Sequence, residues 1–376
     1  MIVMNVELNN FLSFRNFRMS FSYPKRIANS YIEGEYLRDM PNFRYKKIVV
    51  LMGANASGKT SLGQMLNRIF SFMMKKNIDR LLSSVCDRSQ EASFVLDFIP
   101  NRHVAELYRL ETLIKPLANY EEPEIVSRLR KVKLAKNDNY ERAITRLNKM
   151  GGEFAESLSI IKGIPRFEYF FSYPIDVIPS RVPEDDSVIY RAVLENVLRV
   201  LDPSIERVET VKEAKNSYNI HMLNGQNILI QGGQTVDTYL LSSGTKAGIA
   251  IANILSALKE GRYGFYYCDE RFSYIQSDIE KIILTLMINF LGDNEQLLFT
   301  THNTDVLDIS LPNHSYMFLK KRIAGDKAEI ISVDAAKYLK HSRCSVRNAV
   351  ENDLFSVLPN TDLIYQIQNI SGEKSI

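Results

Sequence analysis

The sequence predicts an α/β protein whose sheet carries a phosphate-binding loop, and three stretches predict it. Ile48 to Met52 is an apolar, β-branched run of buried-strand character, and Gly53 to Thr60 (GANASGKT) fits G-x-x-x-x-G-K-[ST] without mismatch. Ser61 to Phe72 follows with Leu62, Met65, Leu66, Ile69 and Phe70 at helical spacing. Further on, two apolar runs end in chemistry. Tyr263 to Cys268 delivers Asp269 and Glu270, and Leu297 to Thr300 delivers Thr301, His302 and Asn303. Ligand sites in α/β sheets form at such carboxyl ends of strands.

Each piece has a physical reason. Glycines let the loop wrap an anion, and the first turn of the next helix points its N–H groups at it. Lys59 is placed to neutralise β- and γ-phosphates, and Thr60 to ligate Mg²⁺. Asp269 can hold the Mg²⁺ shell, while Glu270 can orient or deprotonate an attacking water. His302, one of only five histidines, reads as a phosphate sensor because it follows the acidic strand. Tyr239 to Ala252 (YLLSSGTKAGIAIA) opens a helix with a Ser/Gly turn, and Ile249, Ala252, Ile254 and Leu255 make an apolar face. Alone it is a capped helix start; its position just before the acidic strand gives it meaning.

Composition bounds the remaining classes. At ~150 residues per domain, 376 residues make two or three domains or one large composite one. A hydrophobic share of 45% and a charged share of 24% exclude a disordered chain. Lys plus Arg number 47 against 44 acids, so only a local patch could serve nucleic acid. Cys86, Cys268 and Cys344 form no CxxC pair, which excludes a disulfide framework and a cysteine-rich zinc site. The first 21 residues lack a signal-peptide core. No apolar run reaches the ~20 residues of a membrane helix. The expectation is a soluble, cytoplasmic protein with no membrane partner.

Taken in order, the lysine loop, LSSGT at 241–245, the apolar-Asp-Glu strand and the histidine strand resemble the ABC-type ATPase heads of SMC-like and OLD-like proteins. More narrowly they resemble bacterial AAA-type ATP-binding proteins whose loop reads GANASGK[ST]. Asn10 to Phe14 (NFLSF), Leu198 to Glu209 (LRVLDPSIERVE) and Ser345 to Pro359 (SVRNAVENDLFSVLP) look like further stretches of that group. The resemblance implies a two-lobed ABC-type P-loop ATPase head with a mixed sheet, a short helical insertion, and ATP and Mg²⁺ as cofactors. It implies nucleotide binding by Gly53, Asn55, Ala56, Ser57, Gly58, Lys59, Thr60 and Ser61. It assigns the metal to Thr60 and Asp269 and catalysis to Glu270 with His302. Ser242 and Gly244 would contact the γ-phosphate of ATP held by another subunit, giving a homodimer or larger homo-oligomer of ATP-sandwiched heads. Two places depart from the pattern. Arg271-Phe272 and Gln276-Ser277 stand where an acid and a His-Pro pair are common, and Gln90 is only a weak candidate for the lobe-linking glutamine.

The expected organisation is a first lobe over 1–114, an insertion and connector over 115–190, a second lobe over 191–320 and a C-terminal extension over 321–376. Strands are expected near 2–8, 16–22, 48–52, 93–99 and 107–114. Residues 22–46 read as a surface excursion. Within 115–162, Ile125, Leu129 and Val132, then Ile144, Leu147, Phe154, Leu158 and Ile161, recur at helical intervals. Helices of ~20 residues span only about 30 Å, which excludes a long tethering rod. The basic run Arg128 to Lys136 is the nucleic-acid candidate, and a solvated helix face explains it equally well. Arg166 to Pro183 reads as a buried aromatic connector, or second as a docking surface for a partner. A hairpin is expected around Gly325-Asp326, and a disordered tail from Ser371.

No HNH cluster is present, and the stretch after His302 is too short for an OLD-type nuclease domain. Stand-alone heads of this kind resemble ATPase subunits of bacterial anti-phage systems of the Septu, PARIS and retron-associated types. The implied role is a sensor or scaffold that holds a separate effector, a nuclease or toxin. The alternative is a RecF-like repair or recombination clamp that binds DNA without an effector.

Overall fold

The computed structural model describes residues 1–27, 30–100, 105–116, 123–173, 188–231, 234–235, 241–270, 272–324, 327–339, 345–355 and 362–367. The chain begins with β1 (Ile2–Asn9) and β2 (Phe17–Ser20), then a small hairpin of β3 (Tyr36–Leu37) and β4 (Met40–Arg44). Next come β5 (Ile48–Met52), α1 (Lys59–Lys75) and α2 (Ile78–Leu82), followed by β6 (Ala92–Ile99), β7 (Glu106–Ile114) and β8 (Ile125–Lys133). Short elements α3 (Tyr140–Asn148), β9 (Ala155–Glu156) and α4 (Ser157–Ile161) lead to β10 (Tyr169–Ser172) and α5 (Val188–Leu201). A meander of β11 (Ile205–Thr210), β12 (Ser217–Met222), β13 (Asn227–Gln231) and β14 (Gln234–Thr235) precedes α6 (Ser243–Glu260). The sequence then alternates β15 (Phe265–Asp269), α7 (Ser277–Phe290) and β16 (Gln296–Thr300), and ends in β17 (Tyr316–Ala324), β18 (Lys327–Asp334), α8 (Ala335–Tyr338), α9 (Val346–Glu351) and α10 (Asp362–Gln366).

The central sheet runs β10-β15-β16-β5-β17-β18. Its pairs are parallel from β10 to β17, and β18 closes the edge antiparallel to β17. Its central strands β5, β15 and β16 are buried along their whole length because both faces are covered. Val49, Leu51, Phe265, Tyr267 and Leu298 join a core with α1 and the first sheet. Ile48, Val50, Tyr266, Cys268, Leu297 and Phe299 point the other way, into a core with α6 and α7. The expected α1 residues Leu62, Met65, Leu66, Ile69 and Phe70 are all fully buried. Helix α6 is wrapped on two sides, with Ile249 and Ala252 against the β11–β13 meander and Ile254 and Leu255 against the central sheet.

The first sheet is antiparallel, in the order β2-β1-β6-β7-β8-β9. Here one expectation is corrected: Ile125 to Lys133 is a strand paired to β7 along its length, and not a helix. Ile125, Ser127 and Leu129 share the core face, but the polar Ser127 hides the alternation from a reading of apolar residues. Its hydroxyl is satisfied by Thr112 Oγ1 at 2.8 Å and Ser157 Oγ at 2.7 Å. The second run does hold helix, with Ile144 and Leu147 in α3, Leu158 and Ile161 in α4, and Phe154 outside both. The basic run is paired in part with acids of the neighbouring strand. Arg128 and Arg130 both pair with Glu111, at 2.9 and 2.7 Å, and Lys131 pairs with Glu106 at 3.4 Å.

Residues 22–46 are more than an excursion, since Ile32, Leu37, Phe43 and Tyr45 are buried. In the aromatic connector, Phe167 and Tyr173 are buried and Phe170 and Phe171 pack on the two central cores. Residues 174–183 of that segment lie outside the described residues, as do Gly325-Asp326 and the tail from Ser371. The flanking register, Ala324 opposite Lys327, does pair β17 and β18 as a hairpin. Among the described residues no helix is long and apolar enough to cross a membrane.

Candidate nucleotide-binding site

The loop between β5 and α1 adopts backbone angles that the glycines permit. Gly53 has φ +154° and Gly58 has φ +102°, regions that residues with a Cβ seldom enter. A Cβ at Gly58 would also meet Ile330 Cδ1 at 2.5 Å, and one at Gly53 would run into the Leu319 carbonyl. Ala56 shares the left-handed bend, with φ +61°. Asn55 and Ala56 face solvent, whereas Ser57 is buried and its Oγ has no hydrogen-bond partner among the described residues. Lys59, Thr60 and Ser61 form the first turn of α1, where free N–H groups face outward from the helix end.

Lys59 is the most constrained charge of the loop. It is only 4% exposed, and its Nζ donates to Gly53 O at 2.7 Å and lies 3.1 Å from Glu270 Oε1. Strand order explains how loop and acid meet: β16 lies between β15 and β5, so their carboxyl ends share one edge of the sheet. Asp269 ends β15 fully buried. Burial raises its pKa, while the Thr300 hydrogen bond, the neighbouring Thr60 hydroxyl and the Lys59 charge pull against that rise. Its Oδ1 accepts from Thr300 Oγ1 at 2.7 Å, and its Oδ2 has no hydrogen-bond partner among the described residues. A buried carboxylate oxygen left open beside a threonine hydroxyl fits the hard-oxygen donor set that Mg²⁺ prefers.

Thr300 ties the two acids together, a role that the sequence reading missed. Besides bonding Asp269, its Oγ1 accepts the Glu270 N–H at 3.0 Å, and its carbonyl accepts the same N–H at 3.2 Å. That grip holds Glu270 at φ +39°, an uncommon angle for a non-glycine residue. Tyr267 was missed as well. Fully buried beneath α1, it donates from its hydroxyl to Lys59 O at 2.7 Å, and its ring fills the space left open by Gly63. Burial and the nearby Asp269 push its pKa well above the usual range, so it remains a neutral donor. A tyrosine inside an apolar strand was the available signal, because a buried hydroxyl must find a partner.

His302 follows β16 and is exposed, while the residues on either side are held. Thr301 N–H donates to Leu51 O of β5 at 3.2 Å. Ser242 is the N-cap of α6, accepting from Thr245 N–H at 3.1 Å. Gly244 lies beside the Tyr274 carbonyl, which a Cβ would meet at 3.3 Å. The structure thus gathers Gly53, Lys59, Thr60, Asp269 and Glu270 at one edge. Ser242 and Gly244 stand at the start of a neighbouring helix, with local partners. Gln90 is not gathered there: it is exposed, and its side-chain amide donates to Asp87 Oδ2 at 2.8 Å. Arg271, at the start of the atypical stretch, lies outside the described residues.

Residues 48–308 match the family described as "AAA domain, putative AbiEii toxin, Type IV TA system". Two solved structures are similar in fold. One is described as the SmcHead bound to the C-winged helix domain of ScpA, with 15% identity, TM-score 0.52, and 90% of this chain and 100% of that chain covered. The other is an Smc head domain with an extended coiled coil bound to the C-terminal domain of ScpA, derived from Pyrococcus furiosus. It has 12% identity and TM-score 0.52, with 90% and 98% covered. No curated protein matches the chain. The matched residues contain the glycine loop, the acidic strand and the His302 strand together, and the chain belongs to this AAA-domain family, on the fold of SMC ATPase heads.

Proposed function

We propose that the chain is an ATP-binding and ATP-hydrolysing head that acts as sensor or scaffold in a bacterial anti-phage defence system, where it holds or activates a separate nuclease or toxin. The observation that carries the enzymatic part is the convergence of Lys59, Thr60, Asp269 and Glu270, with Lys59 already 3.1 Å from Glu270. That ion pair ties the phosphate-binding cation to the catalytic carboxylate. Arrival of ATP offers Lys59 a stronger anionic partner, and Glu270 is released to face a water.

In the reaction that follows, Glu270 takes a proton as the water oxygen bonds to the γ-phosphorus. The bond from that phosphorus to the β–γ bridging oxygen breaks, and ADP and phosphate leave. Thr60 and the open oxygen of Asp269 would hold Mg²⁺, whose charge offsets that of the phosphates. Thr300 keeps both acids aimed, and His302 stands at the same edge to sense the γ-phosphate. Ser242 and Gly244, at the start of α6, would complete the site of a second copy, so ATP closes a homodimer or a larger homo-oligomer and hydrolysis reopens it.

The effector-linked role is supported by membership of a family linked to a type IV toxin–antitoxin system and by the pairing of Arg128 and Arg130 with Glu111, which engages two cations of the basic run on β8. The test is to express tagged Glu270→Gln protein with its native neighbouring genes and purify it with ATP. A stoichiometric nuclease or toxin supports the proposal. Nucleic acid without a protein partner would move the assignment to a RecF-like repair clamp.

A further inference from the structure

Glu280 is a charged residue that the nucleotide chemistry leaves unused. It lies one turn into α7 and is 3% exposed, close to the core residues Ile283 and Leu284. A carboxylate in such a place is costly unless both oxygens are bonded. Both are, and the bonds land on the two neighbours of His302. Thr301 Oγ1 donates to Glu280 Oε1 at 2.9 Å, and Asn303 Nδ2 donates to Glu280 Oε2 at 2.6 Å. Asn303 Nδ2 also donates to Ser277 Oγ at 3.1 Å, and Asn303 Oδ1 caps the short 3-10 turn Thr304–Asp308 by accepting from Asp305 N–H at 3.0 Å. The backbone before His302 is fastened to β5 through Thr301 N–H and Leu51 O.

The result is a three-residue segment gripped on both sides with only its central side chain exposed. An apolar side chain at 280 would pack on the same core without desolvating a charge. Burial does raise the Glu280 pKa, so the fold bears a cost for keeping a carboxylate there. What the carboxylate adds is a bond to each neighbour of His302.

We infer that Glu280 is the positioning residue of the His302 segment, and that it links the start of α7, shortly after Glu270, to the phosphate-sensing histidine. Its bonds act through Thr301 and Asn303 and never through the nucleotide itself. The inference rests on the ATPase reading for its kinetic consequence, and its structural half stands apart from that reading.

The test uses the full chain with MgATP and four variants: Glu280→Ala, Glu280→Gln, His302→Ala and the Glu280→Ala/His302→Ala double. Glu280→Ala should lower kcat about tenfold to a hundredfold, the cost of a misplaced group near the chemistry. KM and nucleotide binding should stay near parental values. Glu280→Gln, which keeps the volume and one acceptor, should fall between. The double variant should be no slower than His302→Ala, because both changes remove one function. Parental kcat in Glu280→Ala beside a defective His302→Ala, or losses that multiply in the double variant, would overturn the inference. If the parent turns over no ATP, the ATPase proposal fails alone. The inference is then decided by the His302 ring resonances in the nucleotide-free protein. They should shift in Glu280→Ala and less in Glu280→Gln, and unchanged resonances in both would overturn it.

Discussion

Lys59 and Glu270 share one ion pair, and their substitutions should therefore diverge. Lys59→Ala removes the only loop cation and a charge-assisted contact of about 3 kcal/mol, so nucleotide affinity should drop about a hundredfold. A fluorescent ATP analogue titrated against the variant checks this. Glu270→Gln removes the rival for Lys59 and the proton acceptor together. Turnover should fall by about 10²–10⁴ while ATP binding is retained or tightened. Equal turnover in Glu270→Gln and the parent would remove Glu270 from the mechanism. Gly58→Ala should lose nucleotide binding too, through the φ of +102° and the Ile330 contact rather than through charge. Tyr267→Phe deletes one buried hydrogen bond to the backbone of Lys59, and chemical denaturation should report a loss of about 1 kcal/mol.

At the level of elements, the loop, its strand and its helix were legible because three independent signals coincide: an apolar strand, a glycine turn and a 3.6-residue apolar period. Leu66 lies at the centre of that period and is fully buried, so Leu66→Ala should destabilise the fold by about 2–5 kcal/mol in a urea titration. The same reasoning misread Ile125 to Lys133, where a buried and fully bonded Ser127 broke the apolar alternation and left helical intervals visible instead. Thr300 and Glu280 were illegible for a related cause. A polar residue that is buried and satisfied looks, in one dimension, like any solvated one, and its partners are set by strand order that the sequence does not display. Thr300 meets Asp269 across a pair of parallel strands, 31 residues apart in the chain.

For the whole molecule, the two central cores make one scaffold that holds loop, acids and histidine at a single sheet edge, while the signature residues Ser242 and Gly244 start a helix alongside. On the proposed reading, Ser242 and Gly244 complete the site of a second copy. Ser242→Arg should therefore leave nucleotide binding by one head intact but abolish association of two. If ATP pairs these heads and Glu270 separates them by hydrolysis, the molar mass of the Glu270→Gln protein, read by light scattering with and without MgATP, reports the pairing. The protein should show a monomer mass without nucleotide and a doubled or higher mass with it, ATP being retained in the larger species. A Glu270→Gln protein that binds ATP yet keeps the same mass in both conditions would contradict it.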